Sequence, residues 1–306
     1  MPSNGGCVGL AAELVFPSGR AAIAQTLEAL ALPPNAAIAI AGHGSECLTR
    51  IVRPFGRPCD IGDPGPNALA LVVYEPWGWP LPDQAWHQLE RQFRGRTLIV
   101  DRVDSADFFA RGHARDLPPG SVEVLSLSKL LGLAGGGLAR ANGRLVRFEP
   151  QSESAAMRAL RNRPLARLTR GGYHEVFKES RQAVHPTVRA WLQQNCLTSA
   201  AEYERSARQR HLMALVGSGL AETWPAWMRH AVSAGAGPVW APVLRGHDAP
   251  RRWSAMYTLD QRYGVVSASR QFNWSGNPLR PEYEMCLALP VHGGLTEFGE
   301  IIAALE

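Results

Sequence analysis

The chemistry-bearing residue that stands out in this sequence is Lys129, one of only two lysines in a chain that carries thirty arginines. It follows two serines, Ser126 and Ser128, and precedes glycines at 132 and 135–137. A lysine amine can bond covalently to a carbonyl or carry a proton, whereas arginine holds its charge. The scarcity and the flanking residues of Lys129 favour a covalent anchor over an ordinary solvated lysine.

An acidic residue, Asp101, precedes Lys129 in the sequence and, like it, stands after a predicted strand. Asp101 ends a strand predicted over 97–100, and Lys129 follows the next predicted strand, 122–125, 28 residues later. Ligands in open α/β sheets bind beyond the carboxyl ends of the strands, so both side chains are expected near one sheet edge. The other interpretation of Asp101 is a helix cap after a strand.

A third group, Ser18-Gly19-Arg20, immediately precedes a helix predicted over 21–32. The first backbone N–H groups of a helix lack partners within it, and the helix dipole attracts an anion there. With the Ser18 hydroxyl and the Arg20 guanidinium, this segment predicts a phosphate site. The plainer alternative is a turn with a helix cap.

The elements that must position these groups alternate between short apolar strands and helical segments, which predicts an α/β fold. The predicted strands are 36–41, 69–74, 97–100 and 122–125, with a hairpin over 136–148 that turns at Asn142-Gly143. The predicted helices are 21–32, 83–94, 174–195, 200–220 and 296–305, with strand-like runs at 238–244 and 263–267. We expect a large α/β domain over residues 1–175, with a mixed, mostly parallel sheet flanked by helices, and a small α+β domain over 176–306.

The composition bounds the class of protein. The 306 residues are 45% hydrophobic and 19% charged, which is ordinary globular composition. The five cysteines are odd in number and contain no C-x-x-C pair, so we expect reduced thiols and neither a zinc site nor a disulfide framework.

The sequence predicts a cytoplasmic protein that binds neither membrane nor nucleic acid. The N-terminus carries no charged leader, and no window approaches 18 uninterrupted apolar residues. The basic stretch from Arg158 to Arg170 lacks the aromatic interleaving of a nucleic-acid groove. It is interpreted as a solvated face, and the alternative is contact with the diphosphate of a nucleotide-linked substrate.

A lysine anchor, an acid at a strand end and a donor-rich helix start are the three parts that pyridoxal 5′-phosphate (PLP) chemistry needs. The lysine forms the Schiff base, the acid keeps the pyridine nitrogen protonated, and the helix start holds the phosphate. Lys129 and Asp101 are therefore the predicted catalytic residues, and PLP is the predicted cofactor.

Five segments also resemble the fold type I (aspartate aminotransferase fold) PLP enzymes, and among them the DegT/StrS-like sugar aminotransferases. They are PSGRAAIAQTLEAL at 17–30, VDRVDSADF at 100–108, SLSKLLGLAGGGL at 126–138, YGVVSASRQFNW at 263–274 and CLALPVHGGLT at 286–296. The resemblance implies an aminotransferase that takes a keto sugar or small keto substrate and an amino donor in secondary metabolism. It also implies a homodimer whose active site is built at the subunit interface.

The resemblance implies further cofactor contacts and shows two departures. His43 falls where relatives place a ring that stacks on the cofactor, and Ser126 and Ser128 flank the lysine. Asp104 stands where the family usually places Gln or His beside the ring hydroxyl, and Gly137 stands where histidinol-phosphate-type enzymes have a phosphate-binding arginine. Arg20 is the candidate to supply that charge.

Three alternatives stay open at this point. Asp104 favours a different PLP reaction, such as elimination, decarboxylation, retro-aldol cleavage or oxidation, on the same scaffold. A non-catalytic regulatory or scaffold relative is the second alternative. The third is an unrelated α/β hydrolase or nucleotide-binding protein, although the sequence contains neither G-x-S-x-G nor a P-loop.

Overall fold

The computed structural model describes residues 12–33, 35–41, 46–61, 68–109, 117–148, 182–246 and 248–306. The chain divides into two compact units: Met1–Tyr74, Phe93–Val103 and Arg115–Ala201 form the first, and Glu75–Gln92, Asp104–Ala114 and Glu202–Glu306 form the second. The second unit thus includes two segments from the first half of the chain. The predicted boundary near 175 lies outside the described residues and stays a prediction.

The first unit contains a seven-stranded sheet with the strand order β2-β1-β3-β4-β5-β6-β7. The strands are β1 (Ala37–Ala41), β2 (Arg57–Asp60), β3 (Ala68–Tyr74), β4 (Thr97–Asp101), β5 (Val122–Ser126), β6 (Gly137–Ala141) and β7 (Arg144–Val146). Pairing is parallel from β2 through β5 and antiparallel for β6 and β7. The predicted α/β class with a mixed, mostly parallel sheet is confirmed.

The described helices are α1 (Gly19–Ala29), α2 (Glu46–Val52), α3 (Asp83–Gln92), α4 (Leu127–Leu131), α5 (Pro186–Gln194), α6 (Leu197–Val216), α7 (Ala226–Ser233), α8 (Ala249–Tyr263) and α9 (Phe298–Leu305). In the first unit, α1 packs on one face of the sheet. Its Ile23 and Leu27 share a buried cluster with Val72, Ile99 and Val124. Parallel strands are covered on both faces, which explains why these strands are continuous apolar runs.

The hairpin of β6 and β7 confirms the predicted turn. Asn142 and Gly143 both have positive φ, 50° and 75°, between antiparallel strands. This is the backbone that an Asn-Gly pair favours in two-residue hairpin loops.

The second unit contains the antiparallel strands β8 (Trp240–Val243), β9 (Ala268–Asn273) and β10 (Tyr283–Pro290), in the order β8-β10-β9. The strand-like prediction for 263–267 is wrong, because Tyr263 ends α8 and β9 begins only at Ala268. Gly264 closes α8 in the left-handed conformation (φ 62°), and its N–H donates to the Asp260 carbonyl. The apolar pair Val265-Val266 therefore belongs to a connection after a helix rather than to a strand.

Among the described residues, no helix is long and apolar enough to cross a membrane. Within the same ranges, no cluster of three or more His, Cys, Asp or Glu side chains could hold a metal ion. Cys47, Cys59 and Cys286 form no disulfide, but Cys196 is disulfide-bonded. The expectation that every thiol is reduced is therefore wrong at Cys196, since spacing along the sequence does not reveal which sulfurs meet in space.

Candidate functional site

The parallel strands β3, β4 and β5 end at one edge of the first unit's sheet with the residues Tyr74, Asp101 and Ser126. Tyr74 is the register partner of Asp101, and Asp101 is the partner of Val124. Alternate residues of a strand share a face, so Asp101 lies on the face of Ile99, which packs beneath α1. The Asp101 side chain is buried (5% exposed), and its Oδ1 accepts a hydrogen bond from the Val103 N–H at 3.2 Å.

The N-terminus of α1 lies against this edge. Ser18 is the N-cap, and its Oγ accepts a hydrogen bond from the Ala21 N–H at 3.0 Å. A Cβ on Gly19 would lie 3.0 Å from Val103 Cγ1 and 3.1 Å from Ser126 Cβ. Since residue 19 contacts the residues that follow β4 and end β5, the first turn of α1 is placed beside Asp101 and Ser126.

The glycine run after Lys129 packs against the chain that enters α1. The Gly136 N–H donates to the Pro17 carbonyl at 2.7 Å, and Phe16 and Gly137 exchange two backbone hydrogen bonds of 2.9 Å each. A Cβ on Gly137 would lie 2.3 Å from the Ser18 carbonyl oxygen. A side chain at position 137, such as that of an arginine, would collide with the Ser18 backbone.

We predict that Gly137→Ala lowers stability and weakens binding of the PLP predicted from the sequence, because the new methyl displaces the Ser18 backbone at the start of α1. Overpacking of this kind costs about 1–3 kcal/mol. The control is Gly299→Ala in α9, where an added Cβ meets nothing within 4 Å. Urea unfolding and PLP titration of both variants measure the two effects, and a Gly137→Ala protein as stable as Gly299→Ala contradicts the packing argument.

Lys129 lies in the short helix α4, which follows β5 directly, rather than in the predicted loop. Leu127 and Leu130 of this helix are buried, while the Lys129 side chain is exposed in the single chain. The hydroxyls of Ser126 and Ser128 are hydrogen-bonded to each other at 2.9 Å. Helix α4 thus buries its apolar side chains in the core and places Lys129 just beyond the end of β5.

The structure brings most of the predicted site residues together in the first unit. These residues, at the start of α1 and the ends of β4 and β5, are Ser18, Gly19, Arg20, Asp101, Ser126, Ser128 and Lys129. Asp104 belongs to the second unit, where its carbonyl accepts a hydrogen bond from Arg208 Nη1 at 3.3 Å, so a cofactor contact for Asp104 stays a prediction. His43 lies outside the described residues.

Sequence reasoning missed two features of this edge. Tyr74 ends β3 beside Asp101. The predicted strand over 69–74 ends at this residue, so the sequence already indicated that Tyr74 reaches the same edge. Arg102 and Glu123 form a buried ion pair, which no spacing along the chain indicates because 21 positions separate them.

Comparison with known protein families and with curated proteins finds no match. Solved structures do match, and each of those named below covers 95% of this chain. DesV from S. venezuelae, solved with a ketimine intermediate, has a TM-score of 0.53 and 16% identity over 82% of its own chain. PseC from Helicobacter pylori, an aminotransferase of pseudaminic acid biosynthesis, has a TM-score of 0.56 and 12% identity over 85% of its chain.

The chain has the aminotransferase fold. NtdA from Bacillus subtilis, solved with bound cofactor PMP, shares this fold at a TM-score of 0.52, with 12% identity over 72% of its own chain. In this chain Lys129 follows β5, and Asp101 ends the parallel neighbour β4.

Proposed function

We propose that this protein is a PLP-dependent aminotransferase that moves an amino group from an amino donor to a keto sugar or a small keto substrate. One observation carries the proposal: Lys129, Asp101 and the N-terminus of α1 lie at one edge of one sheet. The shared fold with DesV, PseC and NtdA supports it.

The residues at this edge fit the cofactor. The α1 N-terminus offers backbone N–H groups and a positive dipole end to a phosphate dianion, and the Ser18 and Ser128 hydroxyls and the Arg20 guanidinium add donors. The glycines at 136 and 137 leave only backbone beside this N-terminus. Asp101 is a buried acid suited to a protonated ring nitrogen.

When bound, PLP supplies an electron sink that stabilises negative charge on the substrate carbon. Asp101 keeps a proton on the pyridine nitrogen through its carboxylate, which Val103 orients from one side. The Lys129 Nζ would hold the cofactor covalently and, once free, would take up and return the proton at the substrate carbon. Positioned proton transfer of this kind contributes roughly 10²- to 10⁴-fold in rate.

The Ser18→Ala variant tests the phosphate role of the α1 N-terminus. Loss of the cap costs about 1 kcal/mol of stability, and we expect weaker PLP binding in addition. Asp248→Ala is the matched control, because Asp248 caps α8 through the Arg251 N–H at 2.9 Å. Equal PLP affinity in the two variants contradicts the phosphate site, whatever their stability.

Amino transfer itself is tested by mixing the PLP-loaded protein with a panel of L-amino acids and following conversion of the cofactor to its amine form. A keto sugar or small ketone is then added as acceptor. Turnover that requires both substrates supports the proposal. Turnover of one substrate without an acceptor identifies a different PLP reaction, and failure to bind PLP identifies a non-catalytic relative.

The homodimer and the cytoplasmic location are part of the same proposal and rest on the family resemblance and on the sequence. Gel filtration of the PLP-loaded protein is expected to give the mass of a dimer. Elution at the mass of a single chain contradicts the homodimer.

A further inference from the structure

A buried ion network lies on the sheet face opposite α1. The Glu123 carboxylate binds Arg102 Nη1 through Oε1 and Arg140 Nε through Oε2, both at 2.6 Å. Glu123 alternates with Val122 and Val124, which pack under α1, so its side chain points to the other face. The register places Arg140 of β6 directly opposite Glu123 of β5.

This network is costly to bury. The side chains of Arg102 and Glu123 are only 5% and 7% exposed, and that of Arg140 is 13% exposed. Desolvation of buried charges often exceeds their mutual attraction, and apolar residues of similar volume can be at least as stable. Stability alone is therefore a weak reason for three charged side chains at this place.

The network is joined to Asp101 through the β4 corner, which we define as residues Asp101–Val103. The Arg102 N–H donates to the Val124 carbonyl at 2.9 Å, while its guanidinium is held by Glu123 on the far face. The next N–H, that of Val103, donates to Asp101 Oδ1 at 3.2 Å. The Val103 side chain lies 3.0 Å from the Cβ position of Gly19 on the α1 face. The β4 corner is thus held from both faces of the sheet.

We propose that the Arg102–Glu123–Arg140 network positions the Asp101 carboxylate for the reaction by fixing the β4 corner. This inference rests on the proposed function of Asp101. The three residues are positioning residues, since they act through the backbone of residues 102 and 103 and not on the substrate. Misplacement of a reacting group by about 1 Å can cost about 100-fold in rate.

The first test needs no cofactor. Amide hydrogen exchange of the peptide that contains Val103 is compared in the wild type and in Glu123→Gln, both without PLP. We expect exchange on the order of ten-fold faster in the variant, because local opening of the corner becomes easier. The control is Glu284→Gln, which changes the bidentate ion pair of Glu284 with Arg245, at 2.7 and 2.8 Å, and leaves the corner unchanged. Unchanged exchange in Glu123→Gln overturns the inference.

The second test measures kcat of the PLP-loaded proteins. Glu123→Gln is expected to lower kcat by about 10- to 100-fold with a smaller change in KM. In an Asp101→Ala background the same substitution is expected to change kcat no further, because the residue through which it acts is gone. Additive losses, or full kcat despite faster exchange, overturn the inference.

If Glu123→Gln fails to fold, the triple variant Arg102→Met/Glu123→Leu/Arg140→Met replaces it, since it leaves no buried charge unpaired. Faster exchange and reduced kcat in this variant support the inference, and wild-type values of both overturn it. If the wild type binds no PLP, the proposed function fails, and the exchange comparison alone decides whether the network orders the corner.

Discussion

Lys129→Ala is expected to abolish turnover and to release the cofactor from covalent attachment. Lys129 is the one lysine at the edge of the sheet where β5 ends, within the described residues. Its Nζ has two tasks, anchoring the cofactor and moving the proton, and removal of the proton transfer alone costs roughly 10²- to 10⁴-fold. Loss of the anchor adds to this, so we expect residual activity near background.

Two further variants make this result specific. Lys129→Arg keeps the positive charge but cannot form the covalent bond, and it is expected to be as inactive as Lys129→Ala. Lys178→Ala removes the only other lysine of the chain and is expected to keep full activity. Steady-state kinetics with added PLP, together with mass spectrometry after borohydride reduction, measure these outcomes. Full activity of Lys129→Ala would falsify the assignment.

Asp101→Ala is expected to keep PLP bound while losing most of the activity. The phosphate contacts at α1 and the covalent anchor do not involve Asp101, so affinity depends on other residues. The carboxylate acts instead on charge that develops in the ring during the reaction. Removal of one such electrostatic group typically costs about 10²- to 10³-fold in kcat.

Asp101→Asn separates charge from shape. The amide keeps the size of the side chain and can still accept the Val103 N–H, but it cannot hold the pyridine nitrogen protonated. We expect kcat as low as in Asp101→Ala and a cofactor absorption spectrum that differs from that of the wild type. Wild-type kcat in Asp101→Asn would assign this residue the plain role of a cap after β4.

The placement of Asp101 and Lys129 near one edge of the sheet could be predicted from the sequence, because parallel strands end at the same edge. The positions of Asp101 and Lys129 followed from two short apolar runs, and the turn at Asn142-Gly143 followed from backbone preferences. These are local signals, since each depends on a few neighbouring residues.

Other features depend on contacts between distant residues and could not be predicted. The ion network joins positions 102, 123 and 140, and the hydrogen bond from Arg208 to Asp104 spans 104 positions. The exclusion of a side chain at 137 becomes visible only when the Ser18 backbone is placed against it. The strand-like prediction for 263–267 was wrong because the apolar pair Val265-Val266 follows the end of α8, which Gly264 closes.

The most direct test of the account is the visible absorption spectrum of the purified protein with PLP, before and after borohydride reduction, followed by peptide mapping. We predict a yellow protein in which reduction fixes the cofactor onto the peptide that contains Lys129. A protein that stays colourless with PLP, or a reduced cofactor on Lys178 and not on Lys129, would contradict the account.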